Sequence, residues 1–151
     1  MLPPLPYSWL IASSAVLGAI VGSFLNVCIY RLPRELSVAS PSRSFCPHCK
    51  KLIPAWHNLP ILSWILLKGR CASCKSPISH RYWLIELLTA AAFGLTAAFL
   101  PLSSPLLLLP HFTFLSILIT ATAIDLEHLI IPDALTIGGT FVGCTFALLL
   151  P

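Results

Sequence analysis

Two pairs of cysteines stand at a spacing that suits metal chemistry. Cys46-Pro-His-Cys49 and Cys71-Ala-Ser-Cys74 are both C-x-x-C turns, which place two sulfurs on one side of a tight knuckle. Two knuckles supply four thiolates, the tetrahedral set that Zn²⁺ prefers, and leave no open position for a catalytic water. The pattern predicts a structural zinc site with all four cysteines as ligands. Two disulfide-bonded or redox-active pairs are the alternative.

The basic residues of the chain surround these cysteines and indicate their compartment. All nine Lys and Arg residues lie between positions 31 and 81 of the 151-residue chain. Loops rich in Lys and Arg stay on the cytoplasmic side of a membrane, where thiols are kept reduced. The charge distribution therefore favours a metal site over disulfides. It also predicts attraction of the loop to the anionic inner leaflet, by about 1 kcal/mol for each Lys or Arg.

The composition is that of a membrane protein. The chain is 57% hydrophobic and 9% charged, with a mean hydropathy of +0.90, whereas roughly 25% of the residues of a soluble domain are charged. Four apolar stretches predict membrane-spanning helices, at about residues 9–30, 83–100, 106–124 (or 110–124) and 134–150. The sequence thus predicts an all-α polytopic membrane protein with a cytoplasmic four-cysteine zinc loop between the first and second spans.

The basic loop also predicts orientation and domain organisation. We expect the N-terminus outside, residues 31–82 inside, 101–105 outside, 125–133 inside and the C-terminus outside. The domains are a first transmembrane helix (1–30), a zinc-binding loop (31–82) and three further helices (83–151). The net charge of +4 belongs wholly to this loop, whose basic residues are interspersed with apolar ones. We therefore expect lipid rather than nucleic acid as the partner of this charge, and a zinc-ribbon nucleic-acid binder is disfavoured.

Small residues recur at helical spacing in the first and last spans. Gly18 and Gly22, like Gly139 and Gly143, form G-x-x-x-G, which allows helix backbones to approach closely. The pattern predicts helix packing within the chain, with a homo-oligomer interface as the alternative. Asn26 lies four residues after Gly22, on the same face of the first span, and is expected to form a hydrogen bond to a neighbouring helix.

Other residues of the loop and spans carry simpler expectations. The cysteine site is full with four thiolates, so the loop histidines are expected to be exposed or hydrogen-bonded rather than ligands: His48, His57 and His80. Trp56 and Trp64 predict that part of the loop lies against the membrane or the helix bundle. Cys28 and Cys144 are expected to be small buried apolar residues.

Asp125 is the residue for which the sequence best predicts catalysis. It stands at the boundary of the third apolar run, where an ionisable group is costly and by default functional. Asp133 follows Pro132 and is expected to cap the fourth helix. Glu127 and His128 are expected in a cytoplasmic turn. The role of Glu86 stays open, with pairing to Arg81 or Tyr82 as one option.

The ordered motifs resemble those of the type IV prepilin peptidase family. Nearly the whole chain is covered by segments that carry the resemblance: Gly22-Ser-Phe-Leu-Asn-Val-Cys-Ile-Tyr-Arg-Leu-Pro33, Ser44-Phe-Cys-Pro-His-Cys49, Trp56-His-Asn-Leu-Pro-Ile61, Gly69-Arg-Cys-Ala-Ser-Cys74, Ile78-Ser-His-Arg-Tyr82 with Glu86, Ile124-Asp125 and Pro132-Asp-Ala-Leu-Thr136.

The resemblance implies a membrane-embedded aspartic endopeptidase of the bacterial inner membrane. It would cleave leader peptides of type IV prepilins or type II secretion pseudopilins at the cytoplasmic face, and methylate the new N-terminus with S-adenosylmethionine. Asp125 would be the first catalytic aspartate.

One motif of the family is missing from the sequence. The family's second aspartate lies in a Gly-x-Gly-Asp motif on a later span, and these 151 residues contain none. We therefore expect a fragment, or a chain that is inactive alone. The alternative function is a non-catalytic, membrane-anchored zinc module that binds pilin leaders or an assembly partner.

Overall fold

The described part of the chain folds into α-helices joined by irregular segments, the longest of which lies between the first two helices. The computed structural model describes residues 7–40, 43–54, 57–100 and 105–150. Its α-helices are α1 (Tyr7–Arg31), α2 (Leu62–Leu66), α3 (Arg81–Phe99), α4 (Leu108–His128) and α5 (Asp133–Leu149), with 3₁₀ turns at Leu32–Arg34 and Pro105–Leu107. These residues contain no β-strand, only two isolated bridges in the loop. The predicted all-α class is confirmed.

Among the described residues, three helical segments are long and apolar enough to cross a membrane. They are Tyr7–Arg34, Arg81–Phe99 and Pro105–His128, and they correspond to the first three predicted spans. The fourth predicted span is the 17-residue α5, at the lower end of the roughly 17–25 residues that a crossing needs. Residues 101–104, in the predicted outer turn, lie outside the described residues.

The closest helix packing is between α1 and α3, and it depends on glycine. A Cβ at Gly18 would lie 2.6 Å from the carbonyl oxygen of Thr89, and one at Gly22 would lie 2.8 Å from the Cα of Glu86. The two helices are antiparallel, since Gly94 meets Ala15. The first G-x-x-x-G motif therefore packs helices within the chain, as predicted.

The second glycine pair does not behave in the same way. Gly139 packs against the side chain of Ile117, but a Cβ at Gly143 would meet nothing within 4 Å. Helix α5 contacts α4 and contains no buried residue. The expectation of close packing at Gly143 is wrong, because Gly143 meets no neighbouring atom although it lies one turn after Gly139 on the same face of α5.

Helix α4 completes the core of the bundle. The rings of Phe93 in α3 and Phe112 in α4 stack with their centroids 4.0 Å apart. At the other end of these helices, the guanidinium of Arg81 forms an ion pair with Glu127. The start of α3 and the end of α4 therefore lie on the same side of the bundle as the loop.

Helix α4 ends four residues later than the predicted span, which stopped at residue 124 with the apolar run. The helix includes the polar residues that follow. It extends to His128, and Leu129 then takes a left-handed conformation and donates its N–H to the carbonyl of Asp125 at 2.8 Å. Asp125, Glu127 and His128 thus belong to the last turn of α4. The expected turn at Glu127 and His128 is wrong, because both residues are helical, and their cytoplasmic position stays a prediction.

Two further expectations fail at α5, and one fails in α1. The N-cap position is Pro132, and Asp133 is the first helical residue, without a side-chain capping hydrogen bond. Asp133 can still favour the helix, since a carboxylate in the first turn interacts well with the helix dipole. Cys144 is exposed rather than buried, and Cys28 is only half-buried.

Candidate metal centre and carboxylates

The two cysteine pairs fold into the same local structure. The N–H of Cys46 donates to the carbonyl of Lys51 at 3.0 Å, and the N–H of Cys71 donates to the carbonyl of Ser76 at 2.9 Å. An isolated antiparallel bridge flanks each pair, Phe45 with Leu52 and Arg70 with Pro77. Each pair is therefore closed into a knuckle by its own backbone.

The lysine after each pair completes the knuckle. Lys50 and Lys75 both take positive φ angles, 59° and 61°, and each donates its N–H to the carbonyl of the first cysteine of its pair. The shared C-x-x-C-K sequence is the signal for this repetition, which the spacing of the cysteines alone did not indicate. The knuckles are thus two copies of one local unit.

The four sulfurs converge as the sequence predicts. All four lie within 4.8 Å of one another, and the sulfurs of Cys46 and Cys74 are 3.8 Å apart. A tetrahedral zinc site with Zn–S bonds of about 2.3 Å has sulfurs about 3.8 Å apart. The sulfur cluster therefore fits a four-thiolate metal site, while the identity of the metal stays a prediction.

Ser76 prepares one of these thiols for metal binding. Its hydroxyl lies 3.1 Å from the sulfur of Cys74. Hydrogen bonds from this hydroxyl and from the backbone N–H of Ser76, together with those from Cys71 and Cys49, lower the pKa of the Cys74 thiol to about 6. A thiolate, not a thiol, is the metal ligand. Ser76 therefore favours the ionised form of Cys74.

The histidines of the loop stand outside the sulfur cluster. His48 is exposed although it lies between two of the cysteines. The ring of His80 lies 5.1 Å from that of Trp64. Neither these residues nor His57 joins the possible metal-binding group among the described residues.

The loop rests on the helices through Trp64. Its ring is 5.8 Å from that of Trp83 in α3, and it covers Gly69, where a Cβ would lie 2.8 Å from the ring. Gly69 has a φ of 64°, a left-handed conformation that glycine adopts without strain. Trp64 therefore packs against the bundle, as predicted, while Trp56 lies outside the described residues.

Asn26 forms the predicted link between helix α1 and its neighbour. Its side-chain nitrogen donates to the carbonyl of Tyr82 at 2.9 Å. The sequence pattern did not distinguish Arg31 from the other eight basic residues. Arg31 is buried and donates to the carbonyls of Ser37 and Val38 at 2.9 and 3.0 Å, and so fixes the start of the loop.

Glu86 has a role that the sequence did not predict. It is buried in α3, and its Oε2 accepts the N–H of Ile61 at 2.6 Å. Ile61 has a φ of 64°, which is strained for a β-branched residue. Glu86 therefore holds a turn of the loop against the helices. The suggested pairing with Arg81 is wrong, because Arg81 pairs with Glu127.

Asp125 is exposed on the last turn of α4. Its carboxylate makes no hydrogen bond or ion pair within residues 7–40, 43–54, 57–100 and 105–150. The structure therefore places Asp125 at the end of an apolar span, on the side of the bundle where α3 begins. Among the described residues, no hydrogen bond joins Asp125 to a second carboxylate.

Comparison with known proteins identifies the family. The family model described as the bacterial peptidase A24 N-terminal domain matches residues 16–100. This chain belongs to that family. With its membrane-capable helices, the chain is a multi-pass protein of the bacterial inner membrane.

Curated relatives match most of the chain. It is 42% identical over 132 residues to a prepilin leader peptidase/N-methyltransferase of Myxococcus xanthus, covering 87% of this chain and 38% of the relative. It is 42% identical over 144 residues to a type 4 prepilin-like proteins leader peptide-processing enzyme of Escherichia coli, covering 83% and 52%. A prepilin leader peptidase/N-methyltransferase of Neisseria gonorrhoeae is 39% identical over 164 residues, with 89% and 54% covered.

The chain thus spans about half the length, or less, of these curated relatives. No solved structure matches it significantly.

Proposed function

We propose that this chain supplies the zinc loop and one catalytic aspartate of a prepilin leader peptidase/N-methyltransferase. The single observation that supports this most directly is the position of Asp125. It is an exposed carboxylate on the last turn of an apolar span, and relatives with the activity are about 40% identical over most of the chain.

The proposed reaction needs a second acid. In an aspartic peptidase one carboxylate is ionised and activates water, while its neighbour is protonated and polarises the peptide carbonyl. Glu127 is occupied by Arg81, and Glu86 by the backbone of Ile61. We infer that Asp125 works with an aspartate in the Gly-x-Gly-Asp context of the family, a motif that these 151 residues do not contain.

The zinc loop has a structural part in this proposal. Cys46, Cys49, Cys71 and Cys74 would hold one Zn²⁺, and with four protein ligands the metal has no position for water or substrate. The loop of residues 31–82 would form a cytoplasmic domain, with residues 1–30 and 83–151 in the membrane. The substrates would be leader peptides of prepilins or pseudopilins, cut at the cytoplasmic face and then methylated at the new N-terminus.

Asp125 can be tested in a chain that supplies the second acid. The 151 residues are extended by a segment that carries a Gly-x-Gly-Asp span, and cleavage of a prepilin is measured in membranes. We expect cleavage by the extended chain, none by the 151 residues alone, and a loss of at least about 1,000-fold for Asp125→Asn, because an amide cannot act as a base.

Asp133→Asn in the same extended chain is the matched control. Asp133 begins α5, and its amide variant should cleave as the parent does. Cleavage by the unextended chain would show that the pair of acids is misidentified. Full activity of the extended Asp125→Asn protein would exclude Asp125 from the mechanism and leave a non-catalytic zinc module as the better description.

A further inference from the structure

The loop contains one long stretch without charged side chains. No Lys, Arg, Asp or Glu lies between Lys51 and Lys68, although this loop carries all nine basic residues of the chain. The uncharged residues 52–67 are too few to cross a bilayer, which needs about 17 or more, and a short apolar stretch of this kind is typical of a buried core helix or of an interfacial or re-entrant segment. Helix α2 lies in this stretch.

Helix α2 presents an apolar face on the outside of the molecule. Leu62, Ile65 and Leu66 are 58%, 58% and 76% exposed, and their i, i+3 and i+4 spacing places them on one face of the helix. Leu59, just before the helix, is 49% exposed. These exposures exclude a buried core helix. Contiguous exposed apolar surface marks a site of interaction with a protein or a membrane.

The contact with α3 gives the depth of α2 relative to the membrane. Helix α3 has 19 residues and is about 28 Å long, close to the roughly 30 Å of the hydrocarbon core. Arg81, its first residue, therefore stands near the edge of this core. Glu86, whose carboxylate accepts the N–H of Ile61 at 2.6 Å, lies about 7 Å further along the helix. The start of α2 is thus at the level of the acyl chains rather than in the water beyond them.

The segment before α2 indicates the same depth along α1. Asn58 and Pro60 line a small cavity together with Ile20 and Phe24. Phe24 precedes Arg31, the last residue of α1, by about 10 Å along the helix. The loop therefore doubles back beside the ends of both spans instead of standing wholly beyond them.

Positive charges follow the apolar face directly. Lys68 and Arg70 come just after α2 and are exposed. Basic side chains beside an apolar face are typical of segments that lie in the interface of an anionic membrane. A protein partner fits less well, because a stable protein–protein interface buries about 800 Å² on each side, more than the outer face of a five-residue helix offers.

We propose that residues 59–67 form a re-entrant segment in the leaflet next to the loop, which is the inner leaflet in the proposed orientation. Leu62, Ile65 and Leu66 contact the acyl chains, and the two cations that follow contact anionic headgroups. The cysteine knuckles stay in the water beyond the headgroups. This inference goes beyond the proposed function, and its tests do not measure cleavage or methylation, so its failure would leave the proposed function standing.

Photolabelling from the lipid side tests this placement in the unchanged chain. The zinc-loaded 151-residue chain is placed in nanodiscs of phosphatidylethanolamine and phosphatidylglycerol, with a small fraction of a phospholipid that carries a diazirine in its acyl chain. After illumination, trypsin cleaves at Lys51 and Lys68 and releases peptide 52–68. We expect lipid adducts on Leu62–Leu66, and several-fold fewer on the knuckle peptide 71–75, which is the internal control.

Two outcomes of this labelling would overturn the proposal. Peptide 52–68 without lipid adducts, in a sample whose spanning helices are labelled, would place α2 in water or against protein. Equal labelling of peptides 52–68 and 71–75 would show that the loop lies on the membrane as a whole, without a re-entrant segment.

A reporter on the helix itself distinguishes lipid from a protein occupant. A diazirine-bearing amino acid replaces Leu66 in the extended chain that carries the Gly-x-Gly-Asp span, and Lys75, which is exposed in the second knuckle, is the matched control position. We expect adducts with lipid at position 66 and with water at position 75. A crosslink from position 66 to another part of the chain or to a second copy would overturn the proposal, because the apolar face would then be a protein contact.

Discussion

The cysteine ligands differ in their surroundings although their spacing is the same. Cys46 and Cys71, the first of each pair, are buried, whereas Cys49 is half-buried and Cys74 is exposed. Cys46 and Cys71 also line a cavity between the loop and the ends of α1 and α3, whereas Cys49 and Cys74 do not. Loss of a buried ligand should therefore disturb both the metal and the packing of the loop.

Replacement of one ligand tests the metal site. We expect about one zinc for each purified chain, and loss of most of it in Cys46→Ser, because three thiolates do not complete the tetrahedral set. Cys144→Ser is the matched control, since Cys144 is exposed on α5, away from the sulfur cluster. Metal content is measured by atomic emission, and a Cys46→Ser protein with the zinc content of its parent would exclude the site.

Single residues differ in how far their roles can be predicted from sequence. The cysteine cluster follows from local spacing, because each knuckle is closed by residues within a few positions of the pair. Glu86 and Arg31 could not be assigned in this way. Their partners are backbone groups of the loop, and an irregular loop leaves no periodic signal in the sequence.

At the scale of elements, the α1–α3 pair is the most closely packed part of the bundle. Gly18, Gly22 and Gly94 remove side chains at successive turns of the contact. The predicted bounds of these helices agree with the structure to within two residues, because long apolar runs determine them. The end of α4 was predicted poorly, since Asp125, Glu127 and His128 are polar but still helical.

The glycine contact can be tested with one substitution at two positions. Gly18→Ala should lower the free energy of unfolding by about 1–3 kcal/mol, because its methyl group would lie 2.6 Å from the carbonyl oxygen of Thr89. Gly143→Ala should be neutral or slightly stabilising, because its methyl group meets nothing within 4 Å and alanine favours the helix. Unfolding in detergent is followed by circular dichroism. Equal stability of the two variants would contradict the α1–α3 packing.

At the scale of the whole molecule, the loop, the cavity and Asp125 are arranged at one end of the bundle. The end of α1, the start of α3 and the end of α4 meet there, joined by the Arg81–Glu127 ion pair and the Glu86–Ile61 hydrogen bond. All nine Lys and Arg residues belong to the segment at this end. One orientation in the membrane thus decides the compartment of the metal site and of the proposed chemistry.

The orientation is the last prediction. The positive-inside rule places residues 31–82 in the cytoplasm, so a reagent that cannot cross the membrane should label Leu106→Cys in intact cells but not Ser40→Cys. Both residues are exposed in the structure, and Cys28 and Cys144 are replaced by alanine in the parent chain to remove lone thiols. Permeabilised cells provide the control, in which both variants should react. The reverse pattern in intact cells would place the cysteines in an oxidising compartment, where paired thiols form disulfides, and would remove the compartment argument for zinc.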